Sequence, residues 1–153
     1  MGQLSLHTPV GDLTVFAEDG AIVAVDWGWV RDQVPTPEVL RARAQLQEYF
    51  DGTRTAFDLP LAPAGTAYRQ GVWRELMRIP YGATRSYSDI ARLAGGSARS
   101  VGQANGKNPI PIIIPCHRVL ASAGLGGYSG GDGLPTKTFL LDLESHQPGL
   151  AAR

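Results

Sequence analysis

The chain has 153 residues, of which 43% are hydrophobic and 18% are charged, and its formal net charge is zero. This length allows one ordinary domain or two small ones, and the composition excludes a disordered chain. No apolar run approaches the roughly 18 residues of a transmembrane helix, and the first residues do not resemble a signal peptide. The sequence therefore predicts a cytoplasmic protein with no membrane partner.

Three short apolar runs, residues 4–9, 13–17 and 22–27, open the chain. Gly11-Asp12 and Asp19-Gly20 separate these runs, and such residues between apolar runs indicate tight turns between antiparallel strands. The start of the chain is therefore predicted to form a small antiparallel sheet.

A helix is predicted next. Thr36 and Pro37 are typical of a helix start, with the threonine as its cap, and Gly52 is typical of a helix end. The stripe expected to face the sheet comprises Val39, Arg43, Leu46 and Phe50, with Leu40 and Ala44 widening it. A proline-rich stretch at residues 58–65 then resembles a linker.

Residues 66–104 are predicted to be mainly helical. An apolar stripe through residues 68–79 indicates one helix, and Ser86 opens a capping box ahead of a second, short one. Gly95-Gly96 turns the chain, and Ser97 is placed to cap a third helix. Two short helices around a glycine turn are the outline of a helix-turn-helix.

The zero net charge conceals two parts of opposite sign. Residues 1–65 hold four arginines against nine acids, a net charge of −5, whereas residues 66–118 hold eight basic residues against two acids, a net charge of +6. This division predicts two modules, the second of which meets a polyanion, although scattered surface arginines are an alternative. Together with the helix-turn-helix outline, it favours DNA binding.

We therefore predict an α+β protein. A small module of sheet and helix spans residues 1–62, and a mainly helical domain with a helix-turn-helix spans residues 66–148. Residues 149–153 form a tail.

Cys116 is the only cysteine in the chain. A single thiol excludes an internal disulfide and a zinc site built on several thiolates, and we expect no metal or other cofactor. An isolated intracellular cysteine is most often a small buried hydrophobe. If Cys116 instead reacts, it needs a base, and His117 is the nearest candidate in sequence.

Cys116 lies in the run Asn-Pro-Ile-Pro-Ile-Ile-Ile-Pro-Cys-His-Arg-Val, residues 108–119. This run resembles the active-site segment of the O6-alkylguanine-DNA alkyltransferases, or methylated-DNA–protein-cysteine methyltransferases, which repair DNA by direct reversal. Residues 72–87 are similar to the family's approach to its helix-turn-helix, residues 98–102 to its recognition helix, and residues 128–144 to its closing segment. The resemblance covers roughly residues 66–145.

The resemblance implies transfer of the alkyl group from O6-alkylguanine in DNA to Cys116, once per molecule because the thioether is stable. Whether O4-alkylthymine is also a substrate stays open. His117 would take the thiol proton through a water, and Glu144 would hold the imidazole. Tyr87 would donate a hydrogen bond to the departing base, and Lys137 would support the same region.

For DNA, the resemblance implies binding in the minor groove of a duplex and extrusion of the alkylated nucleotide. We expect the protein to be a monomer. Arg99 matches the arginine that fills the vacated stack, and Asn108 would brace the joint between the DNA-binding helices and the active-site segment. Tyr128 would wall the base pocket in the loop of residues 124–133. The residues implied to bind substrate or DNA are Ser97, Ala98, Arg99, Gly102, Asn108, Arg118, Tyr128 and Ser129.

Three other functions compete with this interpretation. Residues 127–131 fit the Gly-x-Ser-x-Gly pattern of a hydrolase elbow, but no buried strand leads into them. Alkyltransferase-like proteins keep the DNA-binding apparatus but lack the acceptor cysteine and act as damage sensors, and Cys116 argues against that role. A plain transcriptional regulator would have no reason to place Cys-His-Arg after the buried strand expected before Cys116.

Overall fold

The computed structural model describes residues 1–145, so the predicted tail and the end of the predicted 66–148 domain lie outside the described residues. The first elements are β1 (Gly2–Leu6), β2 (Leu13–Glu18), β3 (Ala21–Trp27) and α1 (Pro37–Phe50). The strands form an antiparallel sheet in the order β1–β2–β3, as the turn residues predict. Asp19 and Gly20 both have positive φ at the second turn, which short polar residues and glycine tolerate best.

Helix α1 covers one face of this sheet, and its buried stripe differs from the predicted one. Phe50 is only partly buried, and Leu40 and Ala44 are exposed, whereas Tyr49 is completely buried. The buried residues of the helix are Val39, Ala42, Gln45, Leu46 and Tyr49. Thr36 precedes the helix as predicted, but its side chain makes no capping hydrogen bond. The stripe is rotated because the helix also packs against the second half of the chain.

The second half of the chain is mainly helical. Its elements are α2 (Ala67–Leu76), β4 (Arg85–Ser86), α3 (Tyr87–Ala94), α4 (Ala98–Gly106), a 3₁₀ turn (Cys116–Arg118), β5 (Val119–Leu120) and α5 (Leu134–Ser145). The short strands β4 and β5 pair in parallel and join the start of α3 to the segment after the 3₁₀ turn. The predicted α+β class is therefore confirmed.

Helices α3 and α4 form the predicted helix-turn-helix. Ser86 and Ser97 each complete a capping box at the start of their helix. The Tyr68 hydroxyl from α2 lies 2.9 Å from the carbonyl oxygen of Gly95, to which it donates. Gly96 has a φ of 79°, and a Cβ at this position would lie 2.5 Å from the Tyr68 hydroxyl. The turn therefore requires glycine for both its conformation and its close packing.

The prediction of a strand before Cys116 is wrong. The isoleucines of residues 110–114 are buried, but the segment forms turns, with a single bridge between Pro111 and Ile114, and Ile112 has a φ of 74°. Pro109, Pro111 and Pro115 lack the backbone N–H that a sheet ladder needs, so this apolar segment packs without becoming a strand. Within residues 1–145, no helix is long and apolar enough to cross a bilayer.

Candidate active site

Cys116 begins the 3₁₀ turn and is 5% exposed. It borders a cavity of about 520 Å³ between α4 and the loop that precedes α5. Most of the predicted pocket residues meet around this cavity, which is lined by Tyr87, Ala98, Gly102, Asn105, Gly106, Cys116, Gly127, Tyr128 and Ser129. Small side chains on α4 leave the cavity open beside the thiol.

Two asparagine amides hold the backbone around Cys116. The Asn108 side chain donates to the carbonyl of Ile114 at 2.8 Å and accepts from the N–H of Ile110 at 2.9 Å. Asn105, on α4, donates to the carbonyl of Cys116 at 3.2 Å. These contacts join the helix-turn-helix to the 3₁₀ turn, which is the geometry that a bracing role requires. Asn105 was missed, although a polar residue on the buried face of α4 is a signal of such a contact.

His117 and Glu144 form a buried pair behind Cys116. The His117 Nε2 lies 2.7 Å from the Glu144 Oε2, and both side chains are at most 1% exposed. The same oxygen accepts a hydrogen bond of 2.6 Å from the hydroxyl of Tyr49. Arg118 donates from Nε to Oε1 at 2.8 Å and from Nη2 to Oε2 at 3.0 Å. The carboxylate is therefore surrounded by donors.

These contacts determine the charge state of the pair. Burial opposes ionisation of Glu144, but the hydrogen bonds and charges of His117 and Arg118 outweigh it and hold the pKa of the carboxyl at about 2. Burial lowers the pKa of His117, against the opposing effect of Glu144. An ionised Glu144 beside a neutral imidazole assigns the proton to Nε2. Nδ1 then carries the free electron pair, and it is buried with no hydrogen-bond partner among residues 1–145.

The thiol itself is held in its protonated form. Burial raises the pKa of Cys116, although contacts with Asn108, Lys137 and Tyr128 act in the opposite direction. Because a thiolate and not a thiol is the nucleophile, Cys116 needs a base in order to react. The neutral imidazole of His117 is the adjacent group that can take the proton.

Lys137 ties the pocket loop to the rest of the domain. Its ammonium donates to the carbonyls of Val119 at 2.7 Å, Leu125 at 2.6 Å and Gly127 at 3.1 Å, and it lies 6.0 Å from the ring centre of Tyr87. Its side chain is completely buried. The lysine therefore supports the cavity wall that includes Tyr87.

The placement of Arg118 corrects its predicted contact with DNA. The side chain is 6% exposed, and beyond its bonds to Glu144 it donates to the carbonyl of Ile79 at 2.8 Å. A guanidinium whose donors are engaged inside the protein is not available to a phosphate or a base. The segment Cys-His-Arg brings the arginine inward because it offsets the buried charge of Glu144.

Most of the remaining residues predicted to contact DNA or the base are exposed. Arg99 is exposed at the second position of α4, and Ser129 is exposed at the cavity rim. Ser97 accepts a hydrogen bond from the N–H of Ser100, so its side chain caps the helix. The Tyr128 hydroxyl is buried, and burial followed by the neighbouring Cys116 raises its pKa.

Comparison with known proteins gives a consistent match along the chain. Residues 67–146 match the family described as "6-O-methylguanine DNA methyltransferase, DNA binding domain". Residues 4–63 match a second family, described as "6-O-methylguanine DNA methyltransferase, ribonuclease-like domain". A constitutive methylated-DNA–protein-cysteine methyltransferase of Bacillus subtilis is 43% identical over 152 residues, covering 90% of this chain and 92% of the relative. A protein of the same name from Mycobacterium leprae is 43% identical over 157 residues, covering 94% and 92%.

Solved structures agree with the sequence matches. The Mycobacterium tuberculosis OGT in complex with DNA is 40% identical, with a TM-score of 0.86 over 96% of this chain and 94% of that one. An O6-methylguanine DNA methyltransferase from Methanococcus jannaschii is 27% identical, with a TM-score of 0.70 over 94% and 93%. The damage-sensor alternative is therefore wrong, and the chain belongs to the methylated-DNA–protein-cysteine methyltransferase family.

Proposed function

We propose that Cys116 accepts the alkyl group when this protein repairs O6-alkylguanine in DNA. The transfer of an alkyl group from DNA to a protein cysteine follows from family membership, and Cys116 is the only cysteine in the chain. The observation that carries this assignment is the His117–Glu144 pair next to Cys116, with an imidazole nitrogen free to act as a base.

The proposed reaction is a single displacement. His117 takes the thiol proton on Nδ1, through a water, and the sulfur attacks the alkyl carbon. The new S–C bond forms as the C–O bond breaks, and the electron pair of that bond goes to the guanine oxygen. Tyr87, half-buried in the cavity wall, supplies a hydrogen bond to the departing base. The thioether has no route to hydrolysis, so each molecule acts once.

DNA is the partner of this protein, and we propose a specific way of binding it. Helix α4 would lie in the minor groove, where Ala98 and Gly102 permit close approach, and Arg99 would fill the space of the extruded nucleotide. The cavity of about 520 Å³ is large enough for a base, with Tyr128 and Ser129 along one side. We also propose that the protein acts as a cytoplasmic monomer, with modules at residues 1–62 and 66–148.

The test is a mass measurement on the intact protein after incubation with duplex DNA that contains O6-methylguanine. We expect one added methyl group per molecule, on the peptide that contains Cys116, and no further turnover with excess substrate. Cys116→Ala should bind DNA but gain no mass. Methylation of another residue, or repair by Cys116→Ala, would contradict the proposal.

A further inference from the structure

We propose that Tyr49, from helix α1 of the N-terminal module, is a positioning residue for the alkyl-acceptor site, because its hydroxyl holds Glu144 and acts through it on the imidazole of His117. The inference rests on the proposed function of Cys116 and His117. It also gives the N-terminal module a part in the chemistry, because α1 belongs to that module whereas His117 and Glu144 belong to the second half of the chain.

The geometry supports a fixed contact. The Tyr49 hydroxyl lies 2.6 Å from the Glu144 Oε2, and the two residues are 95 positions apart in the chain. The tyrosine ring is completely buried, with the ring centres of Phe50 at 5.2 Å, Phe57 at 5.6 Å and Tyr81 at 6.2 Å. Packing on several sides holds the phenol in place, so its hydroxyl points at the carboxylate before any substrate arrives.

The hydroxyl acts as a donor throughout the working pH range. Burial, followed by the charge of Glu144, raises the pKa of Tyr49 well above its ordinary value, so the phenol keeps its proton. The carboxylate oxygen that accepts this proton also accepts the Nε2 proton of His117. Tyr49 and His117 therefore share one oxygen, and a change at the first is felt at the second.

The charged and titratable groups around the pair come from several elements. The charge of Glu144 favours the protonated form of His117, whereas Arg118 and Lys137 disfavour it. Tyr81, from the segment after α2, interacts with both Glu144 and Arg118. The groups that surround the pair are Tyr49 from α1, Tyr81, Cys116 and Arg118 from the 3₁₀ turn, and Lys137 from α5.

A neutral donor suits this position. Arg118 already balances the charge of Glu144, and a second cation would disfavour the proton that His117 must accept during the reaction. A hydroxyl disperses part of the negative charge on Oε2 without adding a positive one. Without it, more negative charge would remain beside Nε2, and the protonated imidazole would be favoured. Tyr49 thus keeps His117 neutral to a lower pH than Glu144 alone would.

The experiment compares Tyr49→Phe with Tyr81→Phe. Both changes remove one hydroxyl and keep the ring, but the Tyr81 hydroxyl faces the carbonyl of Leu143 at 3.5 Å and makes no hydrogen bond to Glu144. Single-turnover rate constants are measured with free O6-benzylguanine over an acidic-to-neutral pH series. For Tyr49→Phe we expect the acid limb of the profile to move up by roughly half a pH unit, because His117 is protonated sooner. For Tyr81→Phe we expect no shift.

Two further measurements separate positioning from general packing. In a Glu144→Gln background, Tyr49→Phe should leave the pH profile unchanged, because the hydroxyl acts through the carboxylate. Thermal melts should show that Tyr49→Phe and Tyr81→Phe retain the fold. A Tyr49→Phe profile that coincides with that of the unsubstituted protein, or an equal shift in Tyr81→Phe, would overturn the inference.

A reaction that needs no DNA lesion distinguishes this inference from the proposed function. Iodoacetamide alkylates the sole thiol, Cys116, and its rate against pH reports the same proton transfer. If the protein gains no methyl group from duplex DNA that contains O6-methylguanine, the proposed function fails, and a shifted iodoacetamide profile for Tyr49→Phe still supports the contact. An iodoacetamide profile that Tyr49→Phe leaves unchanged would refute the positioning role by itself.

Discussion

The two sides of Cys116 differ in burial and in hydrogen bonding. Behind it lies the buried cluster of Tyr49, His117, Arg118 and Glu144, in which the carboxylate accepts hydrogen bonds from three side chains. On its other side lies an open wall, formed by Ala98, Gly102 and Ser129 at the cavity, with Arg99 exposed beside Ala98 on α4. The side chains of the cluster bond one another inside the protein, whereas the wall leaves exposed surface that a ligand can contact.

This difference separates the chemistry from recognition. Charges that are fixed before the substrate arrives need no rearrangement during the reaction, which lowers the barrier to charge movement. A surface that must meet DNA has to remain exposed until it does so. We infer that proton transfer is prepared inside the fold and that the proposed selection of the damaged base takes place on α4 and the pocket loop.

The largest expected effect concerns the stability of the buried cluster. Arg118→Met should lower the free energy of unfolding by about 3–5 kcal/mol, because it leaves Glu144 buried without its charge partner. Arg54→Met is the control, since Arg54 pairs with Glu48 near the surface and should change stability by less than about 1 kcal/mol. Urea unfolding measures both. Comparable losses of stability in the two variants would show that removing the charge partner of the buried Glu144 costs no more than breaking an ion pair near the surface.

Acidification should weaken the same cluster. The pKa of Glu144 is about 2 in the folded protein and 4.5 ordinarily, so its ionisation contributes about 3 kcal/mol above pH 4.5 that is lost as the pH falls toward 2. His117 has a lowered pKa, so its contribution also decreases as the pH falls below its ordinary value of 6.5. Urea unfolding at stepped pH should show both losses, and His117→Gln should remove the second, because glutamine does not titrate. A stability that stays constant below pH 4.5 would contradict the assigned charge of Glu144.

A change within the cluster should affect the reaction and leave DNA binding intact. For Glu144→Gln we expect alkyl transfer about a hundredfold slower, because the imidazole loses the carboxylate that stabilises its protonated form. DNA affinity, measured by fluorescence anisotropy, should be unchanged. Glu48→Gln, an exposed carboxylate on α1, serves as the control for the same chemical change. Parallel loss of affinity in Glu144→Gln would mean that the two sides of Cys116 are not separate.

A change on the open wall should affect the repair of duplex DNA and leave the chemical step unchanged. Its effect should also be smaller than that of a change within the cluster. For Arg99→Ala we expect repair of duplex DNA to slow by about tenfold while transfer from free O6-benzylguanine is unchanged, because only the duplex requires extrusion. Arg74→Ala, an exposed arginine on α2, is the matched control. Equal slowing with both substrates would remove Arg99 from its proposed role.

The sequence predicted the elements better than the orientation of their side chains. Turn residues, helix caps and apolar spacing located the sheet and the helix-turn-helix, because these signals depend on neighbouring residues. The same local signals placed Phe50, and not Tyr49, in the buried stripe of α1. Residue spacing alone does not reveal that this helix also packs against the second half of the chain. The local signals also predicted a strand before Cys116, where the alternating prolines prevent one.

By itself, the sequence determined that there is one thiol, that a histidine follows it and that a basic helical segment precedes it. Only the tertiary structure decided that Tyr49, Arg118 and Glu144 meet, and that Arg118 faces the protein and not DNA. The physical reason is the desolvation of charge. A buried carboxylate is stable only where donors from distant segments converge on it, and that convergence leaves no trace in local spacing.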